Sequence, residues 1–124
     1  MNDKSLTDGV KFAMLRNISS RFKYSCFVNI VEEMELNLYP ESQRSVLFDL
    51  LSYANKIELN RLVLTTHSPY VINYLTLAAK AFLLTQKISA NETLQERIKE
   101  VVPADSAIDP ARLRIYELKD GGVF

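Results

Sequence analysis

The 124-residue sequence contains very little glycine, since Gly9, Gly121 and Gly122 are its only three. A GxxxxGK[ST] phosphate-binding loop needs two glycines at fixed spacing before a lysine, and no segment of this chain meets that pattern. The sequence also has a single cysteine, Cys26. One thiol excludes an internal disulfide, and we expect Cys26 to be buried as a small hydrophobe within an apolar strand.

Two further absences limit the class of protein. No apolar run approaches the roughly 18 residues of a membrane-spanning helix, and the polar start at Met1–Lys4 does not resemble a signal peptide. Basic and acidic residues number 15 each, so the composition indicates neither a nucleic-acid groove nor a polybasic membrane patch. We therefore expect a cytoplasmic protein without membrane contacts, consisting of one domain or a piece of one.

Apolar runs that alternate with amphipathic segments predict the fold class. The run at 26–31 is apolar enough for a central strand covered by helices on both faces, and a second run lies at 62–66. Helical spacing predicts roughly four helices, at about 10–20, 41–55, 70–87 and 89–102. Strand, helix, strand and helix in this order indicate an α/β fold with a parallel strand pair.

The C-terminal part of the chain predicts a helix followed by a third strand. Ser89 and Glu92 have capping-box spacing, which predicts where the fourth helix begins. Its apolar residues are expected to face the core: Leu94, Ile98, Val101 and Val102. The third strand is predicted at 113–118, with a tight turn at 120–122. The chain ends directly after that turn, so we expect a hairpin with one arm and a domain truncated at both ends.

Chemistry is expected where the two parallel strands end. Glu32, Glu33 and Glu35 follow the first strand, and His67 follows the second. Ligands of parallel α/β sheets bind beyond the carboxyl ends of the strands, and neighbouring strands lie about 4.8 Å apart. Glu33 and His67 could therefore share one site, where carboxylates hold a cation or activate a water. Equally, Glu35 could be a solvated acid and His67 a surface histidine.

Four segments together resemble the C-terminal half of an ABC-type ATPase domain, especially its soluble OLD-like branch, which is sometimes described as AAA-type. Phe27–Glu33 resembles a Walker B strand, and EEMELNLYP is similar to the usual EEPExxLHP. LVLTTHSPYVIN is similar to the switch-histidine segment, and LTDG is similar to the LSGG signature. The resemblance covers nearly the whole chain and implies a partial P-loop NTPase domain over residues 1–124, without its phosphate loop.

The resemblance implies a catalytic role for three residues. Glu32 corresponds to the Walker B acid that holds Mg²⁺ through water, and Glu33 to the general base for the attacking water. His67 corresponds to the switch histidine, which contacts the γ-phosphate and that water. These assignments imply ATP and Mg²⁺ as the cofactors of the complete protein, which would be an ATPase, while this chain alone is expected to be weak or inactive.

The resemblance also implies contacts across a dimer interface. The signature-like residues Leu6, Thr7, Asp8 and Gly9 would offer backbone N–H groups to a nucleotide on the partner subunit. The D-loop-like residues, which would lie against that partner, are Leu36, Asn37, Leu38 and Tyr39. Met34 departs from the usual proline, and Tyr39 stands where histidine or aspartate is common. The implied partner is a second copy or an N-terminal ATPase half, and relatives of this kind act with nucleases or on DNA.

Two other function classes are compatible with the same residues. A half-domain with exposed sheet edges could be a non-catalytic module that associates with itself. Alternatively, Glu32, Glu33 and His67 could serve a metal-dependent phosphoesterase, which would bind a divalent ion without nucleotide.

Overall fold

The computed structural model describes residues 26–123, which form an α/β arrangement around one parallel strand pair. Three α-helices are present in this part of the chain: α1 (Pro40–Asn55), α2 (Pro69–Lys87) and α3 (Glu92–Val101). Four strands accompany them: β1 (Val28–Val31), β2 (Arg61–Leu64), β3 (Leu118–Lys119) and β4 (Gly122–Val123). Short 3-10 turns lie at Ala104–Ser106 and Pro110–Arg112. The predicted helix at 10–20 lies outside the described residues.

The β1–α1–β2 unit confirms the predicted α/β class and the parallel pairing. The register aligns Val28 with Arg61 and Val31 with Leu64, so both strands end at the same edge of the sheet. A hydrogen bond of 3.0 Å from the Thr65 N–H to the Val31 carbonyl continues the ladder one residue beyond β2. The loops that follow the two strands are therefore fixed side by side.

Only one face of the β1–β2 pair is covered within the described residues, so the prediction of a strand buried on both faces is not met there. Val31, Leu62 and Leu64 pack against the core, while Val28 is 61% exposed and Ile30 is 68% exposed. Cys26 is exposed and precedes β1, which corrects the expectation of a buried thiol. Exposed apolar surface is what the self-association hypothesis requires, and this face of the strand pair provides it. Self-association itself stays a prediction.

The hydrophobic core lies between α1, α2 and the covered face of the sheet. Leucines at helical spacing form the buried face of α1, with Leu47, Leu50 and Leu51 each at most 2% exposed. Helix α2 contributes Val71, Leu75, Ala78 and Ala81 to the core. Both helices begin with a proline, whose fixed φ suits the first helical turn and whose missing N–H costs no hydrogen bond there.

The C-terminal part differs from its prediction in two respects. Helix α3 begins after Asn91, whose side chain accepts a hydrogen bond from the Leu94 N–H, rather than at Ser89. Of the residues expected to face inward, Val102 is buried and Ile98 partly buried, but Leu94 and Val101 are 42% and 48% exposed. The apolar stripe that helical periodicity predicts on α3 is wider than the part of α3 that packs against α2, so its outer residues remain exposed.

The predicted third strand at 113–118 is wrong for most of its length. Only Leu118 and Lys119 form a strand, and they pair antiparallel with Val123 and Gly122. The hairpin therefore has two short arms, and Gly121 occupies the turn at a φ of 91°, a value that glycine adopts without steric cost. Among residues 26–123, no helix is both long and apolar enough to cross a membrane.

Candidate functional site

The candidate site lies where β1 and β2 end, and two loops build it. The carboxylate loop, residues Glu32–Tyr39, connects β1 to α1, and the histidine loop, residues Thr65–Ser68, connects β2 to α2. Because the strands are parallel and in register, the two loops leave the sheet at the same edge. This is the edge at which open α/β sheets usually bind ligands.

Glu33 and His67 face each other across this edge. The His67 Nε2 atom lies 3.7 Å from the Glu33 Oε1 atom, close enough for an ion pair when the imidazole is protonated. The side chains of His67 and Glu33 are 88% and 51% exposed, so both can reach a ligand in solvent. The structure thus brings together the two residues that the sequence proposed as partners in one site.

The backbone at Glu33 adopts a left-handed conformation, with a φ of 46°. For a residue other than glycine this costs about 1–2 kcal/mol, and neighbouring contacts must hold it in place. The Glu33 N–H donates a hydrogen bond of 3.0 Å to the Thr65 Oγ1 atom, and the Glu33 carbonyl accepts one of 2.9 Å from the Leu36 N–H. The conformation turns the chain sharply at the end of β1.

Glu35 joins the carboxylate loop to the histidine loop through both of its carboxylate oxygens. Its Oε2 atom accepts a hydrogen bond of 2.8 Å from the Thr66 hydroxyl, and its Oε1 atom accepts one of 2.5 Å from the His67 N–H. Burial raises the pKa of Glu35, but the hydrogen bonds from the His67 and Glu35 N–H groups and the Thr66 hydroxyl outweigh it and lower that pKa. The carboxylate is therefore charged at neutral pH.

A second, buried contact ties the histidine loop to α1. The Ser68 hydroxyl donates a hydrogen bond of 2.6 Å to the Gln43 Oε1 atom. The Gln43 Nε2 atom donates in turn to the Leu38 carbonyl at 3.0 Å, so one amide connects both loops. Gln43 is 6% exposed and Ser68 is 8% exposed. Ser68 is thus a buried structural residue of the loop.

Two apolar side chains anchor the carboxylate loop in the core. Met34 is fully buried and Leu38 is 8% exposed, and both belong to the main core cluster. Between them, Leu36 is 59% exposed, and Tyr39, directly after Leu38, is 63% exposed. Of the D-loop-like residues, therefore, Leu36, Asn37 and Tyr39 are on the surface, whereas Leu38 packs within this chain. The signature-like residues 6–9 lie outside the described residues.

The acidic residues suit a cation that is held largely through water. Glu32 is exposed beside Glu33 at the end of β1. Within residues 26–123, no group of three or more histidine, cysteine, aspartate or glutamate side chains is arranged to hold a metal ion. Mg²⁺ usually keeps several waters and binds one or two carboxylates together with substrate phosphates. Glu32 and Glu33 fit that mode of binding, and the phosphoesterase hypothesis stays a prediction.

Comparison with known protein families matches the part of the chain that contains this site. Residues 28–73 match the model of a family described as "AAA domain, putative AbiEii toxin, Type IV TA system". The matched segment is similar to an AAA domain. It begins at the first residue of β1 and ends within the first turns of α2, so it includes both loops. No match emerged from comparison with curated proteins or with solved structures.

Two residues that shape the site, Thr65 and Gln43, were not predicted from the sequence as site residues. Glu35 was predicted at the strand end with a solvated role left open, and the structure places its carboxylate in contact with the histidine loop. Thr65 was considered only as part of a strand, yet its hydroxyl holds the Glu33 backbone. Hydroxyl residues directly after a strand are a usable signal, because they often bond to nearby backbone groups. No local sequence signal identifies Gln43, because its hydrogen-bond partners, Leu38 and Ser68, lie in the two loops outside its own helix.

Proposed function

We propose that this chain supplies the acidic and histidine half of a MgATP site in an ATPase of the ABC or OLD-like kind. The observation that carries the proposal is the 3.7 Å approach of Glu33 to His67 at the carboxyl end of a parallel strand pair. The match of residues 28–73 to an AAA domain model supports the same class of reaction. Phosphoryl transfer depends on positioning and charge, which these residues provide.

Each proposed role is the one that the resemblance to an ABC-type ATPase implies, and the position of the side chain is compatible with it. Glu32, exposed at the strand end, would hold Mg²⁺ through water. Glu33 would accept a hydrogen bond from the attacking water and polarise it. His67, whose ring is 88% exposed next to Glu33, would contact the γ-phosphate and that water. Mg²⁺ would supply the positive charge that draws the phosphate oxygens and the carboxylates together.

The remaining half of the site would come from outside this set of residues. The chain has no GxxxxGK[ST] loop, so the backbone cradle and lysine for the β- and γ-phosphates would be supplied by another segment or chain. Leu6, Thr7, Asp8 and Gly9 would face the nucleotide of a partner subunit. The exposed D-loop-like residues, Leu36, Asn37 and Tyr39, would contact that partner. We therefore propose a head-to-tail dimer as the working form.

The first experiment tests binding and turnover with the 124-residue chain itself. Titration with MgATP should shift the backbone NMR signals of Glu32, Glu33 and His67 more than those of the β3–β4 hairpin. Release of phosphate should remain at the background rate, because the phosphate loop is missing. Robust turnover by this chain would contradict a shared site, and signals at these three residues that do not respond to MgATP would contradict a nucleotide site.

The second experiment tests the role of Glu33 in a protein that joins these residues to a phosphate-loop segment. Glu33→Gln should lower hydrolysis by about 10²-fold or more while ATP stays bound, because the amide cannot act as a base. Glu58→Gln is the matched control, since Glu58 is an exposed acid in the connection before β2. Hydrolysis that is equally fast in both variants would remove Glu33 as the base.

A further inference from the structure

We infer that Glu35 and Thr65 are positioning residues that lock the two loops together and thereby set the distance between Glu33 and His67. The inference rests on the proposed function for its purpose, but its geometry is independent of any ligand. Neither residue needs to touch nucleotide. Each one holds the backbone of a residue on the opposite loop, and those two held residues are Glu33 and His67.

The lock is reciprocal, because each loop supplies one side chain and receives one. Thr65, in the histidine loop, accepts a hydrogen bond from the Glu33 N–H at 3.0 Å. Glu35, in the carboxylate loop, accepts one from the His67 N–H at 2.5 Å. Glu33 and His67 are thus each fixed at the backbone by a side chain of the other loop. Neither loop can shift along the sheet edge without breaking at least one of these bonds.

The Thr66 hydroxyl strengthens the lock. It donates to the Glu35 Oε2 atom at 2.8 Å and accepts from the Ser68 N–H at 3.0 Å. A hydroxyl that accepts one hydrogen bond becomes a better donor in the other, so the two bonds support each other. Because the acceptor is a charged carboxylate, the bonds to Glu35 are of the stronger, charge-assisted kind.

The lock is placed where the backbone needs support. The left-handed conformation of Glu33, at a φ of 46°, is unfavourable for a side-chain-bearing residue and persists only when surrounding contacts determine it. Thr65 is well placed to give that support, because its own N–H is bonded to the Val31 carbonyl at the end of β1. The threonine hydroxyl is therefore fixed relative to the strand from which Glu33 emerges.

Two pairs of variants test the inference in the full 124-residue chain. Thr65→Val removes the hydroxyl that accepts from Glu33, and Thr65→Ser restores it. Glu35→Ala removes both acceptors, whereas Glu35→Gln retains one carbonyl oxygen for the His67 N–H. Thr76→Val is the matched control, because its hydroxyl bonds only within the exposed face of α2.

The readout is amide hydrogen exchange by NMR at the two held residues. Thr65→Val should speed exchange of the Glu33 N–H by roughly tenfold, and Glu35→Ala should do the same at His67, which is the effect of losing one hydrogen bond of this strength. Thr65→Ser and Glu35→Gln should restore most of the protection. A merely structural role would speed exchange across the core as well, so unchanged exchange at Leu50 is part of the expected result.

A second readout measures the distance between the two side chains directly. His67 is the only histidine in the chain, so its ring signals are unambiguous. A nuclear Overhauser contact between its ring and the Glu33 side chain should be present in the wild type and in Thr76→Val. It should weaken in Thr65→Val and in Glu35→Ala and recover in the conservative variants.

The outcomes separate this inference from the proposed function. If exchange and the ring contact are the same in wild type, Thr65→Val and Glu35→Ala, the lock is refuted, whatever MgATP does. If the variants behave as expected but MgATP shifts no signal at Glu33 or His67, the lock stands and the ATPase proposal fails. Protection that fails to return in Thr65→Ser and Glu35→Gln would also overturn the lock.

Discussion

The two loops of the candidate site lie side by side but are held by different kinds of contact. Met34 and Leu38 anchor the carboxylate loop, because their side chains are buried in the core. The histidine loop has no large apolar anchor of its own, and it is held by hydrogen bonds to the end of β1, to the carboxylate loop and to Gln43. The position of the histidine loop therefore depends on the carboxylate loop more than the carboxylate loop depends on it. A substitution that disturbs the carboxylate loop should disturb both loops.

The largest effect is expected from the apolar anchor of the carboxylate loop. Met34→Ala should lower the free energy of unfolding by about 2–5 kcal/mol, because it leaves a cavity at a fully buried position. Leu36→Ala, two residues away and 59% exposed, should change it by no more than about 0.5 kcal/mol. Urea unfolding of both variants measures the difference. Equal effects of the two substitutions would show that Met34 does not anchor the loop.

A smaller effect is expected from the amide that connects the loops. Gln43→Leu should destabilise the protein by about 1–3 kcal/mol, since it leaves the Leu38 carbonyl and the Ser68 hydroxyl without these bonds in a buried setting. Ser45→Ala, at an exposed position of the same helix, is the control. Thermal unfolding compares the two. A Gln43→Leu variant as stable as the control would remove Gln43 from the connection between the loops.

The carboxylate of Glu35 should make the contact between the loops dependent on pH. Its pKa in the folded protein lies below its ordinary value of 4.5, so its contribution to stability is fully present above that pH. The contribution is lost as the pH falls through the lowered pKa, because the proton binds the unfolded state first. The expected size is at most about 1 kcal/mol, since the carboxylate is only partly buried.

Glu35→Gln provides the measurement. The stability difference between wild type and this variant should be largest at neutral pH and should disappear in acid below the lowered pKa. Urea unfolding at several pH values follows the difference. A difference that stays constant across this range would mean that the charge of Glu35 does not contribute.

The smallest effect is expected far from both loops, at Asp49 on α1. Burial and the negative charge of Asp105 raise the pKa of Asp49, so its charged form opposes folding at neutral pH. Asp49→Asn should therefore stabilise the protein by roughly 0.5 kcal/mol at neutral pH, since solvent screens much of the repulsion. The gain should shrink as the pH falls through the raised pKa and should vanish below the ordinary value of 3.8, where Asp49 is neutral in both the folded and the unfolded state.

Thermal unfolding with Asp120→Asn as the control, in the exposed hairpin turn, checks this prediction. Both loops should be unaffected, so protection of the His67 amide should match the wild type in Asp49→Asn. A loss of stability at neutral pH in that variant would contradict the repulsion from Asp105.

Local sequence signals predicted those helices and strands whose own residues show a clear periodic pattern. Helical spacing predicted helices at 41–55 and 70–87, within one residue of the observed bounds of α1 and α2. The order of strands and helices gave the parallel pair, and from that pair the proximity of Glu33 and His67 followed. The strand predicted at 113–118 was wrong for most of its length, because the two strands of the hairpin have only two residues each and are too short to show a periodicity.

The sequence by itself determined which chemical groups stand at the ends of β1 and β2, since strand pattern and residue order are local properties. Tertiary structure decided how those groups are held. The burial of Met34, the turn of Glu33 into a left-handed conformation and the bonds from Glu35 to the histidine loop each join residues that become neighbours only after the sheet forms. The hydrogen bonds between the two loops join residues 31 or 32 positions apart, so no local pattern encodes them.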